Sequence, residues 1–316
     1  MNRQDVLKSY HLKKRFCKDN NLPIKVYDNP YFEQRVEILN PLFGSLDKFD
    51  DFVLNMRDFD SEQNYFDYYN SIKDAIIDDI KANEMYQKFI NEDKKPWADQ
   101  IVEAISKIEN RNLYSDDNNG KVFVSVDMKK ANFSALKHYS PSIFNGAETW
   151  EDYLKKYTSY DHIIKSKYIR QVVMGACNPR AQITYEKYLI SKLCEHLVNV
   201  LGEKIKVLCL AADEIVLSEV GCSLNEIKEA VSSCADSLGD LVRIEIFELN
   251  KLGNYGWEKV FDTPNECNFI FKGVDSEIYH QLFKHRMGEK ITDDDLVFVH
   301  NGKLAMYLDE VDDPWM

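Results

Sequence analysis

Apolar positions recur at helical spacing in Phe49–Met56, in Tyr68–Ile80 and in Ile101–Ile108, and this periodicity predicts amphipathic helices through the first third of the chain. Pro23, Pro30, Pro41 and Pro96 punctuate that stretch. The polar, turn-forming run Ser115–Gly120 then breaks the pattern, and a different texture begins. Val122–Val126 is an apolar run of strand type that ends at Asp127. A helical stretch over Lys130–His138 follows, then a mixed insert, then a long helix from about Arg180 to Val200. Ile205–Leu210 and Ile215–Ser218 are two further apolar runs around the short link Ala211-Ala212-Asp213-Glu214, the pattern of a hairpin. Ser223 with Glu226 three residues on forms a capping box for a helix over Leu224–Ser237. In Leu241–Leu249, Val242, Ile244 and Ile246 alternate with Arg243, Glu245 and Phe247, as in a half-buried strand. Two last β-like runs, Asn268–Lys272 and Leu296–His300, flank a helix near Ser276–Arg286.

The central order is β-α-β-β-α-β with an insert after the first strand, a split βαβ or ferredoxin-like arrangement in an α+β chain. The expected organisation is a mainly helical region over 1–117, a sheet-building domain over 118–262 and a small α+β C-terminal module over 263–316.

Composition narrows the class. With 44% hydrophobic and 12% aromatic residues, the chain folds and is not intrinsically disordered. The seven cysteines stand singly without a CxxC pair, which suits free thiols in a reducing compartment. Met1–Lys14 has no apolar signal core, and no window approaches a membrane span; a cytoplasmic protein with no membrane partner is the expectation. None of the seven histidines pairs at metal-ligand spacing. The net charge of −13 argues against a protein that coats nucleic acid over its whole surface. The charge is uneven, however. Residues 129–192 carry 11 Lys/Arg against 5 Asp/Glu, whereas residues 1–120 carry 17 against 23.

That basic stretch lies between three acids that the predicted topology brings to one sheet edge. Asp127 leaves the first strand, and Asp213 and Glu214 occupy the hairpin link. Singly, each acid is an ordinary strand end or polar turn. Together they repel unless protonated or neutralised, and Mg²⁺, or Mn²⁺ in its place, is the hard cation that oxygen donors take. Two such ions about 4 Å apart can activate a hydroxyl and stabilise a leaving pyrophosphate. Lys129, Lys130, Lys165, Lys167, Arg170, Arg180 and Lys187 are the candidate phosphate contacts, with Arg170 and Arg180 preferred because arginine grips phosphate oxygens in pairs. Tyr168 and Tyr185 are candidates for stacking on a base.

Val126–Ser140 resembles motif A of family A DNA polymerases, in which an Asp opens a helix running towards a His. Leu208–Leu217 resembles that family's motif C, an Asp–Glu pair between two apolar strands, and Gly253-Asn-Tyr-Gly-Trp257 is similar to a short Gly/Trp segment near its C-terminus. Lys167–Gly175 is similar to the fingers helix that holds the incoming triphosphate, and Asn178–Tyr185 to a later segment with a Gln before a long helix. The resemblance implies a polymerase palm over 118–262, with Asp127, Asp213 and Glu214 as catalytic and metal-binding residues. It also implies Arg170, Arg180, Lys130, Lys167, Asn132 and Gln182 as substrate-binding residues, and nucleic acid or a nucleoside triphosphate as partner. Ala212 replaces the family's His before the acidic pair, and Asn132 stands where the family has the Glu that excludes a ribose 2′-hydroxyl. Lys167–Gly175 and Asn178–Tyr185 are only a few residues apart, so if both matches hold, the resemblance implies that the fingers between them are largely missing. The expected function is Mg²⁺-dependent nucleotidyl transfer. The alternative is a catalytically decayed palm acting as a nucleic-acid- or protein-binding scaffold.

Overall fold

The computed structural model describes every residue except 107–111, 219, 264–266, 313 and 316, and the side chains of 105 and 106. The helix expected over Ile101–Ile108 spans Lys95–Ser106, so positions 107 and 108 lie outside the described residues. The other two early periodic runs lie in helices Ser45–Met56 and Glu62–Ala82. In the second, Tyr65, Tyr69, Ile72, Ile76 and Ile80 form one buried stripe, and Ser61 caps the first turn by accepting from the Asn64 N–H.

Among the described residues eight strands follow: β1 Lys121–Met128, β2 Lys206–Leu210, β3 Glu214–Ser218, β4 Val242–Leu252, β5 Gly256–Phe261, β6 Phe269–Lys272, β7 Val297–His300 and β8 Lys303–Met306. The first six form one sheet in the order β2-β3-β1-β4-β5-β6, every neighbouring pair antiparallel. The chain is therefore α+β around a six-stranded antiparallel sheet. The run at Asn268–Lys272, read from sequence as part of an appended module, supplies the edge strand β6 of this same sheet. Only β7 and β8 pair separately.

Strand alternation divides the sheet into two faces. Val124, Val126, Met128, Ile215 and Leu217 face the main core, which continues into the helical first third and reaches Val311. Phe123, Val216, Phe247 and Leu249 build a smaller cluster on the opposite face with Leu113 and Leu208. Helix Pro179–Leu201 packs across the main face and touches β3, Lys95–Ser106, Ala131–Tyr139 and Leu224–Ser232. Asn178 caps it and Pro179 opens it, a residue that costs no helical hydrogen bond at that position. The capping box of Ser223 and Glu226 is present. The helix it opens ends at Ser232, earlier than expected, because Cys234 is extended (ψ 136°), and Asp236 and Ser237 with positive φ keep the chain from resuming it.

The C-terminal segment is tied down by a buried ion cluster. Asp295 (1% exposed) receives Arg35 at 3.3 Å and Lys284 at 2.5 Å, and its carboxylate also accepts from the Thr292 N–H and hydroxyl. Burial works against the charged form, but Lys284 and Thr292 prevail and hold the Asp295 carboxyl below its usual range. The contribution of this clamp is full above pH 3.8 and disappears as the pH falls through the lowered value. Asp295→Ala would strand two buried cations and is expected to cost about 3–5 kcal/mol in urea unfolding at pH 7. Val122→Ala, at a strand position 58% exposed, should stay within about 0.5 kcal/mol.

Candidate functional site

Register places the site. In β1, Asp127 pairs with Glu214 of β3 on one side and Arg243 of β4 on the other, so the three side chains form one cross-strand row. Because Val126 and Met128 face the main core, Asp127 faces the opposite side, as does Ser125, whose hydroxyl donates to Glu214 Oε1 at 2.7 Å. Glu214 is the first residue of β3, not part of the link. Asp213 remains in the link, and its carbonyl accepts from the Met128 N–H at 2.8 Å, which fastens the hairpin to the end of β1. Two chain-distant segments thus converge as the sequence pattern anticipates.

Each acid has a different cationic environment. Both Arg243 Nε (2.9 Å) and its terminal nitrogen (2.7 Å) reach Asp127 Oδ2. Lys259 of β5 reaches Glu214 Oε1 at 3.4 Å while its ammonium lies 4.2 Å from the centre of the Phe247 ring. Asp213 has no ion-pair partner among the described residues; Lys167 is the cation that acts on it. Burial pushes the Asp127 carboxyl above its ordinary value and the Glu214 and Asp213 charges push the same way, against Arg243. Asp213 is raised by burial and by Glu214, with Lys167 opposing. Glu186, buried on helix Pro179–Leu201, is pushed up to about 7, first by burial and then by Asp213.

A cleft of about 1050 Å³ opens beside this row. Asp127, Asp213, Arg243 and Lys272 line it, together with Lys129, Lys130, Lys167 and Arg170. Of the predicted substrate contacts, Lys130, Lys167 and Arg170 therefore reach the cleft. Lys130 sits in the left-handed region (φ 47°) and is ion-paired to Glu151. Arg170 keeps a buried Nε without a partner. Others lie elsewhere. Arg180 is exposed in the first turn of its helix, outside the cleft lining. Gln182 is buried and donates to the Met174 carbonyl at 3.3 Å, joining two consecutive helices. Asn132 is not in the lining and accepts from the Phe133 N–H. Lys165 pairs with Asp161 on the surface, and Lys187 is exposed. Tyr185 packs on Trp97 and Tyr188, and Tyr168 stands beside Arg15 and Lys18.

Sequence reasoning missed Arg243, Lys259, Lys272 and Glu186. Arg243 carried a signal, the polar side of an alternating strand. The lysines carried none, because their approach depends on the β4-β5-β6 order. Among the described residues, no three His, Cys, Asp or Glu side chains gather closely enough to hold a metal ion. No helix among them is long and apolar enough to cross a membrane. Comparison with protein families, curated proteins and solved structures gave no match.

Glu186 makes stability depend on pH in a definite direction. Its folded value lies above the ordinary 4.5, so between 4.5 and about 7 the native state holds more protons than the unfolded chain. Stability from this group is then greatest at low pH and falls as the pH rises through that window. Glu186→Gln is expected to stabilise by roughly 1–3 kcal/mol at pH 8, because each tenfold change in proton affinity on folding is worth about 1.4 kcal/mol. At pH 4.5 the substitution should be nearly neutral; urea titrations at both pH values measure the difference.

Proposed function

We propose that this protein is a metal-dependent nucleotidyltransferase of the polymerase-palm type, acting on a nucleoside triphosphate and nucleic acid. The observation that carries the reading is the pairing of Asp127 with Glu214, with Asp213 fastened to the same strand end, beside a cleft lined with cations. The order β2-β3-β1-β4, with helices between β1 and β2 and between β3 and β4, supports the ferredoxin-like palm.

Two carboxylates in one cleft suit a cation of the Mg²⁺ type that substrate phosphates and water complete, rather than a preformed three-ligand cage. Asp127 and Asp213 offer hard carboxylate oxygens to one cleft, and their protonation is raised first by burial and then by neighbouring carboxylates, both of which a bound cation would oppose. Arg243, 56% exposed, must release Asp127 first. When bound, the ion would make a hydroxyl more acidic and stabilise negative charge at phosphorus. The protein's own part is positioning. Arg170, with an unpartnered Nε, and Lys167 would take the phosphate oxygens, and Lys130, tethered by Glu151, would border them. Lys259 and the Ser125 hydroxyl, both on Oε1, hold Glu214 in place.

A decayed palm that binds nucleic acid or protein is the second reading. The same two ion pairs favour it, since acids already neutralised by Arg243 and Lys259 need no metal.

Incorporation of labelled nucleotide on a primed template, with Mg²⁺ or Mn²⁺, separates the two. Activity is expected in the wild type, lost on chelation, and reduced at least about 100-fold in Asp127→Asn and in Asp213→Asn with circular dichroism unchanged. Undiminished turnover in either variant ends the metal-site reading. Binding of a primed template without turnover, under every metal tried, leaves the scaffold.

A further inference from the structure

We propose that Lys272 is a phosphate-binding residue of the cleft, forming with Lys167 and Arg170 a receptor for a condensed phosphate such as pyrophosphate or a triphosphate tail. This deepens the phosphoryl-transfer reading and rests on it for the identity of the physiological ligand. The three cations come from elements far apart in sequence: Lys167 and Arg170 from helix Lys167–Ala176, Lys272 from the end of the edge strand β6. All three line the cleft that holds Asp127 and Asp213. Among the described residues, none of the three has a carboxylate within ion-pair distance. Arg170 also retains its unpartnered buried Nε.

Assembling such a group has a cost. Lys272 is half-buried, and burial comes first among the influences that lower its proton affinity, followed by the like charges of Lys259 and Lys167. Glu214 and Asp127 offset only part of this. A cluster of cations with too few carboxylates is an arrangement that an anion of several charges relieves. A linear polyphosphate meets several donors at once.

The backbone that carries Lys272 is fixed by a feature of the Gly253–Trp257 segment. In the β5–β6 ladder, Trp257 pairs with Lys272. Gly256, at φ +146°, lies so close to the partner strand that a Cβ there would fall 2.6 Å from the Lys272 carbonyl oxygen and 2.9 Å from Val274 Cγ2. Only glycine combines that φ with that approach. The chain then turns away at Gly273, φ +72°. The glycine motif therefore sets where the Lys272 side chain begins.

Isothermal titration of the full chain with inorganic pyrophosphate, at low salt and without metal, tests the assignment. Wild type is expected to bind, Lys272→Met to bind about tenfold or more weakly, and Lys272→Arg to bind within about threefold of wild type, because a charged hydrogen bond is lost in one and kept in the other. Gly256→Ala should weaken binding as well, with the charge still present. Circular dichroism and melting temperature on each variant separate lost binding from lost fold; Lys272→Gln replaces Lys272→Met should the latter not fold. Undiminished affinity in a folded Lys272→Met or Lys272→Gln, or no binding by the wild type, overturns the proposal. Nucleotide incorporation by the same preparations keeps the two readings apart. Lys272-dependent pyrophosphate binding without incorporation upholds the receptor and removes the transferase. Incorporation by Lys272→Met at unchanged KM for nucleotide removes Lys272 and leaves the transferase.

Discussion

Four rungs of pairing between β1 and β3 decide where the acids of the site meet: Val124 with Leu217, Ser125 with Val216, Val126 with Ile215, Asp127 with Glu214. Val126, Ile215 and Leu217 are fully buried on the helix-packed face, and each such side chain is worth roughly 1.5–3 kcal/mol of burial. A slip of β1 by one residue would turn Asp127 and Ser125 into that core and Val126 out of it. The exposed pair of Asp127 with Arg243 is worth at most about 1 kcal/mol. Apolar packing therefore fixes the register, and the charges adjust to positions they did not choose.

This ordering explains what could be read from the sequence. Strand β1 and the hairpin were legible because apolar runs bounded by turn residues mark strands, and Asp127 and Asp213 were legible as the acids at their ends. Ser223 and Glu226 announced a helix start correctly because a capping box is a local device. The long helix was legible to within a residue at each end, since Asn178-Pro179 and Gly202 punctuate it. Glu214 was placed one position too far into the link, where the sequence shows no difference between a turn acid and the first residue of a strand.

What could not be read depends on contacts between segments with no shared local pattern. Lys259 and Lys272 reach the site only because β5 and β6 add to the β4 side of the sheet. Nothing in Asn268–Lys272 distinguishes an edge strand of the main sheet from a strand in a separate module. Glu186 sits in an amphipathic helix whose period gives its face, while its nearness to Asp213 comes from how that helix crosses β3. Arg180 and Gln182 show the converse. Their residue types suit phosphate and base recognition, but Arg180 emerges on the surface and Gln182 is used to join two helices.

The three acids are not equivalent as cation ligands, and their partners say which differ. Lys259 is 7% exposed in its side chain and lies against the Phe247 ring, so separating it from Glu214 would strand a buried ammonium. Arg243 is more than half exposed and can turn to solvent or to Glu245, 3.5 Å from its Nε, with little loss. Asp213 has no ion-pair partner among the described residues to displace. A divalent ion entering the cleft would therefore meet Asp127 and Asp213 as exchangeable ligands and Glu214 as a fixed neighbour that adds negative potential. The two proposed readings, transferase and scaffold, then differ by one exchange, Arg243 for a divalent cation at Asp127. The bond given up is weak, so on the proposed reading the cost of the exchange lies mainly in dehydrating the ion, which substrate phosphates in the same cleft would offset.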